Sequence, residues 1–213
     1  MAVIYLLRHG QTAWNREKIF RGQTDVPLDD TGRRQAKFLA ERLGKLGLHN
    51  PVILASPLQR ARETADIVAG SIEGTRVESD DSFLDISYGE WEGKSREEVE
   101  KMYPSLYSIW ENTPGKAVFP GGETLEKAAN RAREGIFRAA RENPQGDSVI
   151  VAHRAINKAL FCLLLGAGMQ GFWKLRQDTA CLNELHIKGD TFVIVKINDT
   201  CHLRGSGKDT RDF

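Results

Sequence analysis

The chain has 213 residues, 40% of them hydrophobic and 28% charged, a balance that suits one large globular domain or two small ones and excludes collagen-like, mucin-like and wholly disordered chains. Its formal net charge of +1 gives no overall basic field to draw it onto nucleic acid or an acidic membrane. Cys162, Cys181 and Cys201 are odd in number and widely spaced, which fits neither a disulfide framework nor a C-x-x-C pair, and they read as reduced thiols of a cytoplasmic protein. The apolar N-terminus meets Arg8 and His9 too soon for a signal peptide. The longest other apolar stretch, Ala159 to Gly168, is about half the ~20 residues a membrane span needs, so a soluble protein is expected.

In chain order, Val3–Leu7 predicts a first strand. Asp30 and Thr31 then cap a helix whose apolar residues fall at Ala36, Leu39, Leu43 and Leu46 and which Gly47 stops. Val52–Ala55 predicts a strand, and Ser56 before Pro57 the cap and first residue of a helix through Val68. Ser95 and Glu98 form a capping box, and Leu125, Ala128, Ala132, Ile136 and Ala139 make the stripe of a longer helix. Ser148–Ala152, Leu182–Ile187 and Phe192–Ile197 predict further strands, the last two as an antiparallel hairpin. No linker or repeat divides the chain. The expected fold is α/β, a three-layer αβα sandwich around a mostly parallel sheet, as one domain over residues 1–204 followed by a loose polar tail at 205–213.

In such sheets the ligand lies beyond the carboxyl ends of the strands. Val3–Leu7 runs into Arg8, His9 and Gly10, and Ser148–Ala152 runs into His153 and Arg154. If these strands are parallel, two imidazoles and two guanidiniums meet at one edge of the sheet. The strand at Val52–Ala55 adds Ser56, Arg60 and Arg62 at the start of a helix, whose N-terminus favours an anion; spacing leaves open which arginine faces inward. A zinc site is the rival for paired histidines, but no H-x-x-x-H or H-E-x-x-H occurs and no cysteine stands at ligand spacing. No metal and no other cofactor is expected.

Leu7-Arg8-His9-Gly10-Gln11-Thr12 with Asn15 resembles the R-H-G-x-T signature of the histidine phosphatase superfamily, the phosphoglycerate-mutase-like phosphatases. Ser56-Pro57-Leu58-Gln59-Arg60-Ala61, Gly89-Glu90-Trp91-Glu92-Gly93, Gly121-Gly122-Glu123 and Val151-Ala152-His153 are similar to its later motifs and follow in the same order. The resemblance implies that His9 is the nucleophile and that Arg8, Asn15, Arg60 and His153 form the phosphate pocket. The family usually carries Glu four residues before the glycine of its third motif, as the acid for the leaving oxygen, and Asp85 stands there. An ordinary aspartic acid titrates near 3.9, so Asp85 needs its pKa raised to donate a proton at neutral pH. Arg21 and Arg154 replace smaller or neutral residues of the family and are candidates to read a second anionic group on the substrate. Asn198–Leu203 resembles a stretch of metal-independent phosphoserine phosphatases, which makes His202 a further candidate to touch substrate.

The resemblance implies a metal-independent phosphomonoester hydrolase that acts on a small anionic phosphorylated metabolite through phosphohistidine. Phosphoserine, α-ribazole phosphate, phosphoglycerate and sugar phosphates all fit. A homodimer is compatible with the resemblance, and neither nucleic acid nor membrane is an expected partner. Two alternatives use the same residues: a cofactor-dependent phosphoglycerate mutase, against which the segment between Trp91 and Gly122 is short, and a non-catalytic phosphate-binding domain.

Overall fold

The computed structural model describes residues 1–204, apart from the side chain of Arg16; the tail expected at 205–213 lies outside the described residues. Six strands form one sheet in the order β3-β2-β4-β1-β5-β6, with β1 at Ala2–Arg8, β2 at Val52–Ala55, β3 at Val77–Ser79, β4 at Asp147–Ala152, β5 at Leu182–Lys188 and β6 at Thr191–Asp199. The first four in that order run parallel, and β5 and β6 close the edge antiparallel. Alternation along the central strands divides the apolar residues between two layers. On one face, Ile4, Leu6, Ile150 and Ala152 pack under α6 (Leu125–Glu142) and α7 (Arg154–Leu164). On the other, Leu7, Val149, Val151 and Ile53 meet Leu39 and Leu43 of α2 (Asp30–Gly44) and Ala61 and Val68 of α3 (Gln59–Ala69). This is the expected αβα sandwich. Among the described residues no helix is long and apolar enough to cross a membrane.

Two helix starts differ from expectation. The cap of α2 is Asp29, whose carboxylate accepts the Gly32 N–H at 2.8 Å, and Asp30 is already helical. The second helix begins at Gln59 and not at Pro57, because the Ser56 N–H still bonds the Val151 carbonyl at 3.0 Å and so prolongs the ladder of β2. Its first turn is capped from a distance: Asp25 Oδ1 accepts the Gln59 N–H at 2.7 Å. Gly47 adopts a φ of +63° beyond the end of α2 at Gly44.

A third apolar cluster sits apart from the sheet. The short helices α1 (Ala13–Glu17), α4 (Arg96–Met102) and α5 (Pro104–Asn112) belong to the segments around it. At its centre, the ring of Trp91 lies 5.1 Å from Phe20 and 5.0 Å from Phe119, both edge-on, and Trp110 meets Trp173 at 4.9 Å. Such pairs prefer edge contacts because the ring edge is positive and the face negative. Gly89 (φ +54°) lets two loops cross beneath this cluster, since a Cβ there would stand 2.0 Å from the Pro120 carbonyl oxygen.

Candidate active site

Strands β1 and β4 pair in parallel with Arg8 opposite Ala152, so His9 and His153 leave adjacent strand ends side by side. The His9 N–H donates to the Ala152 carbonyl at 3.1 Å, and the two imidazole centroids are 5.1 Å apart. The loop after His9 is pressed onto the start of α2: a Cβ on Gly10 would lie 2.4 Å from the Gly32 carbonyl oxygen, and one on Gly32 2.1 Å from that of Gln11. Thr64 accepts the Gly10 N–H at 3.1 Å and donates to the Arg60 carbonyl at 2.8 Å, which locks α3 to the same loop. Arg8, His9, Arg60 and His153 are all fully buried.

The partners of the two histidines fix opposite tautomers. His9 Nδ1 lies 2.6 Å from the Gly10 carbonyl oxygen, which can only accept, so Nδ1 carries the proton. Burial, reinforced by Arg60, Arg8 and Arg21, holds the His9 pKa well below the usual histidine range, so the ring is neutral and Nε2 keeps its lone pair. Arg60 Nε can only donate, and it does so to His153 Nδ1 at 3.1 Å. Burial and then Arg60 lower the His153 pKa as well, which leaves its single proton on Nε2. Both Nε2 atoms are buried with no hydrogen-bond partner among the described residues. Buried polar atoms are as a rule hydrogen-bonded, so each Nε2 is left to bond a group other than the protein's own side chains.

Arg60 is the hub. Its Nη1 donates to Thr24 O at 2.9 Å and its Nη2 to Gly22 O at 2.7 Å, and Nη2 stands 3.7 Å from Asp85 Oδ2. Arg62, the alternative left open by spacing, points outward to Asp66 and Ser79. Arg8 Nη1 donates to Gln177 O at 2.6 Å. Asp85 Oδ1 accepts the Ile86 N–H at 3.0 Å, and burial raises the carboxyl pKa against the opposing pull of Arg60 and Arg21. Burial also lowers the Arg60 pKa despite the neighbouring carboxylate, so at 3.7 Å desolvation outweighs the attraction for both partners.

A narrow cavity of about 50 Å³ opens beside this buried group. Asp85, Arg21 and Arg154 line it, together with Lys18 and Arg96, which sequence reasoning did not single out, under walls that include Trp110 and Trp173. Four cationic residues and one carboxyl thus line the same cavity. Asn15 Oδ1 accepts from the Thr12 N–H at 2.8 Å and from its hydroxyl at 2.9 Å; of the expected site residues Arg8, His9, Asn15, Arg60, His153 and His202 do not line the cavity, and Asp85, 3.7 Å from Arg60, joins it to the buried group. The ring of His202 is turned to Ala180 O and Arg42 instead. Glu92 joins loops by accepting from Thr24 Oγ1 and the Tyr88 N–H, and Glu90 accepts from the Tyr103 hydroxyl at the surface. Among the described residues no group of three or more His, Cys, Asp and Glu could hold a metal ion.

The family model of the histidine phosphatase superfamily (branch 1) matches residues 4–200. Phosphoserine phosphatase 1 of Hydrogenobacter thermophilus is 34% identical over 203 residues, covering 95% of each chain. Among solved structures, Bacillus stearothermophilus YhfR superposes with a TM-score of 0.88 at 28% identity, over 95% of this chain and 100% of that one. A phosphoserine phosphatase mutant from Entamoeba histolytica, solved in complex with phosphoserine, gives 0.84 at 25% identity over 95% and 100%.

Proposed function

The chain belongs to the histidine phosphatase superfamily (branch 1) and is a phosphomonoester hydrolase of it, and we propose that hydrolysis runs through a phosphoryl group carried on His9 Nε2. The observation that carries this reading is the pair of complementary buried Nε2 atoms, a lone pair on His9 and an N–H on His153, neither bonded to protein among the described residues. The lone pair suits attack on phosphorus, and the N–H suits a phosphoryl oxygen. Arg8 and Arg60 supply the positive charge that a metal supplies elsewhere, so the reaction needs no divalent ion.

In the first step the His9 Nε2–P bond forms as the bond from phosphorus to the leaving oxygen breaks, and the protonated Asp85 carboxyl donates its proton to that oxygen. In the second, Asp85 as carboxylate takes a proton from water while the water oxygen bonds to phosphorus, the N–P bond breaks and phosphate departs. The raised pKa of Asp85 fits both roles, since a proton carrier works best when its pKa lies near the working pH.

The substrate in this reading is small and carries a second anionic group, which Arg21 and Arg154 bind at the cavity, with Lys18 and Arg96 adding charge. Phosphoserine and 3-phosphoglycerate meet both conditions, and the names of the relatives support the first. The free thiols of Cys162, Cys181 and Cys201 are consistent with action in the cytoplasm. The test is His9→Ala, which removes turnover of p-nitrophenyl phosphate, combined with rapid quenching of the unaltered protein to trap a phosphoramidate stable to base and labile to acid. Near-normal turnover by His9→Ala, or activity lost in EDTA and restored by Mg²⁺, would overturn the reading.

A further inference from the structure

The Asn198–Leu203 stretch is not absorbed by the site, and its side chains bond elsewhere. Behind the first loop lies segment 177–181. The Arg8 N–H donates to Cys181 O at 3.1 Å, the Ala180 N–H to His9 O at 3.1 Å, and Arg8 Nη1 to Gln177 O at 2.6 Å. Five residues thus act as a template for the Arg8 guanidinium and for the main chain of His9. The template depends on its surroundings: Ala180 stands at φ +53°, a conformation that strains a residue with a side chain, and Gln177, Asp178 and Thr179 are buried polar residues that need partners.

Arg176 Nε donates to Asp178 Oδ1 at 2.9 Å and Asn157 Nδ2 to Gln177 Oε1 at 3.4 Å; the further support comes from Asn183 of β5, Asn198 of β6 and His202. Gln177 and Asn183 exchange amide hydrogen bonds at 2.6 and 3.0 Å. Asn198 Oδ1 accepts the Asp178 N–H at 2.6 Å, its Nδ2 donates to Asp178 Oδ2 at 3.0 Å, and its own N–H donates to Asn183 Oδ1 at 2.8 Å. Asn198 can do all three because it sits at φ +57°, a conformation asparagine tolerates better than most residues. His202 Nε2 donates to Ala180 O at 2.9 Å while its Nδ1 accepts from Arg42 Nη1 at 3.2 Å, and Arg42 Nη2 is pinned by Asp199 at 2.5 Å. Burial and Arg42 hold the His202 pKa down at about 4, so at neutral pH its one ring proton is available for Ala180.

We propose that Asn198 and His202 are positioning residues, which clamp Asp178 and Ala180 so that segment 177–181 holds the Arg8 guanidinium and the His9 loop in register for phosphoryl transfer. This rests on the reading of Arg8 and His9 given above. The lever is geometric, since a displacement of about 1 Å at a reacting group can cost ~10²-fold in rate. His202 therefore acts through the back of the site and makes no contact with substrate.

The test uses the full chain with Asn198→Gly, which keeps the positive φ and deletes the amide, His202→Ala, and His202→Gln, whose amide nitrogen replaces Nε2 as donor to Ala180. Thermal melts are recorded beside kcat and KM for p-nitrophenyl phosphate. The expected result is folded Asn198→Gly and His202→Ala proteins with kcat lowered about 10- to 100-fold, and His202→Gln restored to within about threefold of the unaltered enzyme. Three results would overturn the proposal: unchanged kcat in both deletion variants, a His202→Gln protein as slow as His202→Ala, or failure of both deletion variants to fold, which would make the contacts purely structural. Failure of the underlying reading is separate, because the unaltered protein would then yield no acid-labile phosphoryl adduct.

Discussion

Arg60 Nε donates to His153 Nδ1 at 3.1 Å, and this one bond places the imidazole's proton on Nε2, the nitrogen that donates to substrate in the proposed mechanism. The same guanidinium holds Gly22 O and Thr24 O, so it also fixes the loop that ends beside Arg21. A planar fork can serve three acceptors in different directions, which a lysine ammonium on a flexible stem cannot.

Arg60→Lys therefore keeps the charge and loses the geometry. Charge-assisted hydrogen bonds contribute about 1.5–3 kcal/mol each, and two of the three are expected to go. Since 1.4 kcal/mol is tenfold, kcat/KM for p-nitrophenyl phosphate should fall by ~10²-fold or more. A loss smaller than tenfold would show that charge alone serves.

Asp85→Asn removes the proposed proton carrier but leaves a side chain of the same size. Hydrolysis of alkyl phosphates, whose leaving groups need a proton, should slow by ~10²–10⁴. Aryl phosphates, with better leaving groups, should lose less in the first step. The raised pKa also has a sign: the protonated form persists to higher pH than in an ordinary aspartate, so first-step rates on alkyl esters fall only as pH rises through that value. Equal and small losses on both ester types, with Glu90→Gln crippled instead, would move the role to Glu90.

The proposed role of Arg21 and Arg154 in reading a second anion is tested by choice of substrate. Each guanidinium bonded to a second anion is worth about 1.5–3 kcal/mol. Arg21→Ala and Arg154→Ala should each lower the ratio of kcat/KM on phosphoserine to that on p-nitrophenyl phosphate by about 10- to 150-fold. An unchanged ratio with both rates reduced would assign that arginine to the transferred phosphate.

The His9 and His153 pair was legible because each ends a short apolar strand and parallel strands bring such ends to one edge. Asp85 carries no local signal and is marked only by resemblance; burial, which the folding of distant segments creates, raises its pKa against the opposing pull of Arg60. Lys18 and Arg96 were illegible because a turn lysine and the first residue of a capped helix have ordinary local explanations, and only the folding of their segments over the sheet brings them to one cavity. The sequence places the start of α3 two residues early, because the acceptor for its first N–H, Asp25, is supplied from another loop. Strand β3 has no signal in the sequence, because only Val77 of its three residues is apolar, too short a run to show alternation. For His202 the chemistry was visible but its direction was not, since sequence cannot say which side of the first loop a terminal segment approaches.

Lys158 is the buried cation that the proposed chemistry leaves unused, and it makes a prediction about stability. Its ammonium lies 4.2 Å from the ring centroid of Phe172 and 4.4 Å from that of Trp173, with no carboxylate partner among the described residues. Burial, followed by repulsion from Arg154, brings its pKa down to about 7 from the usual 10.5. The charged form is thus disfavoured in the folded state: below pH 7 both states hold the proton and the penalty is complete, whereas between about 7 and 10 the unfolded chain holds a proton the folded one has lost, so stability rises with pH. Replacing Lys158 with Met fills similar space without the charge. At pH 6 the substitution should stabilise by ~1–4 kcal/mol, the relief of desolvation exceeding cation–π contacts worth about 0.5–2 kcal/mol. The gain should shrink steadily toward pH 10. Urea unfolding of both proteins at pH 6, 8 and 9.5 measures it, and a gain that is independent of pH, or a loss at pH 6, would show that the two rings hold the ammonium at no net cost.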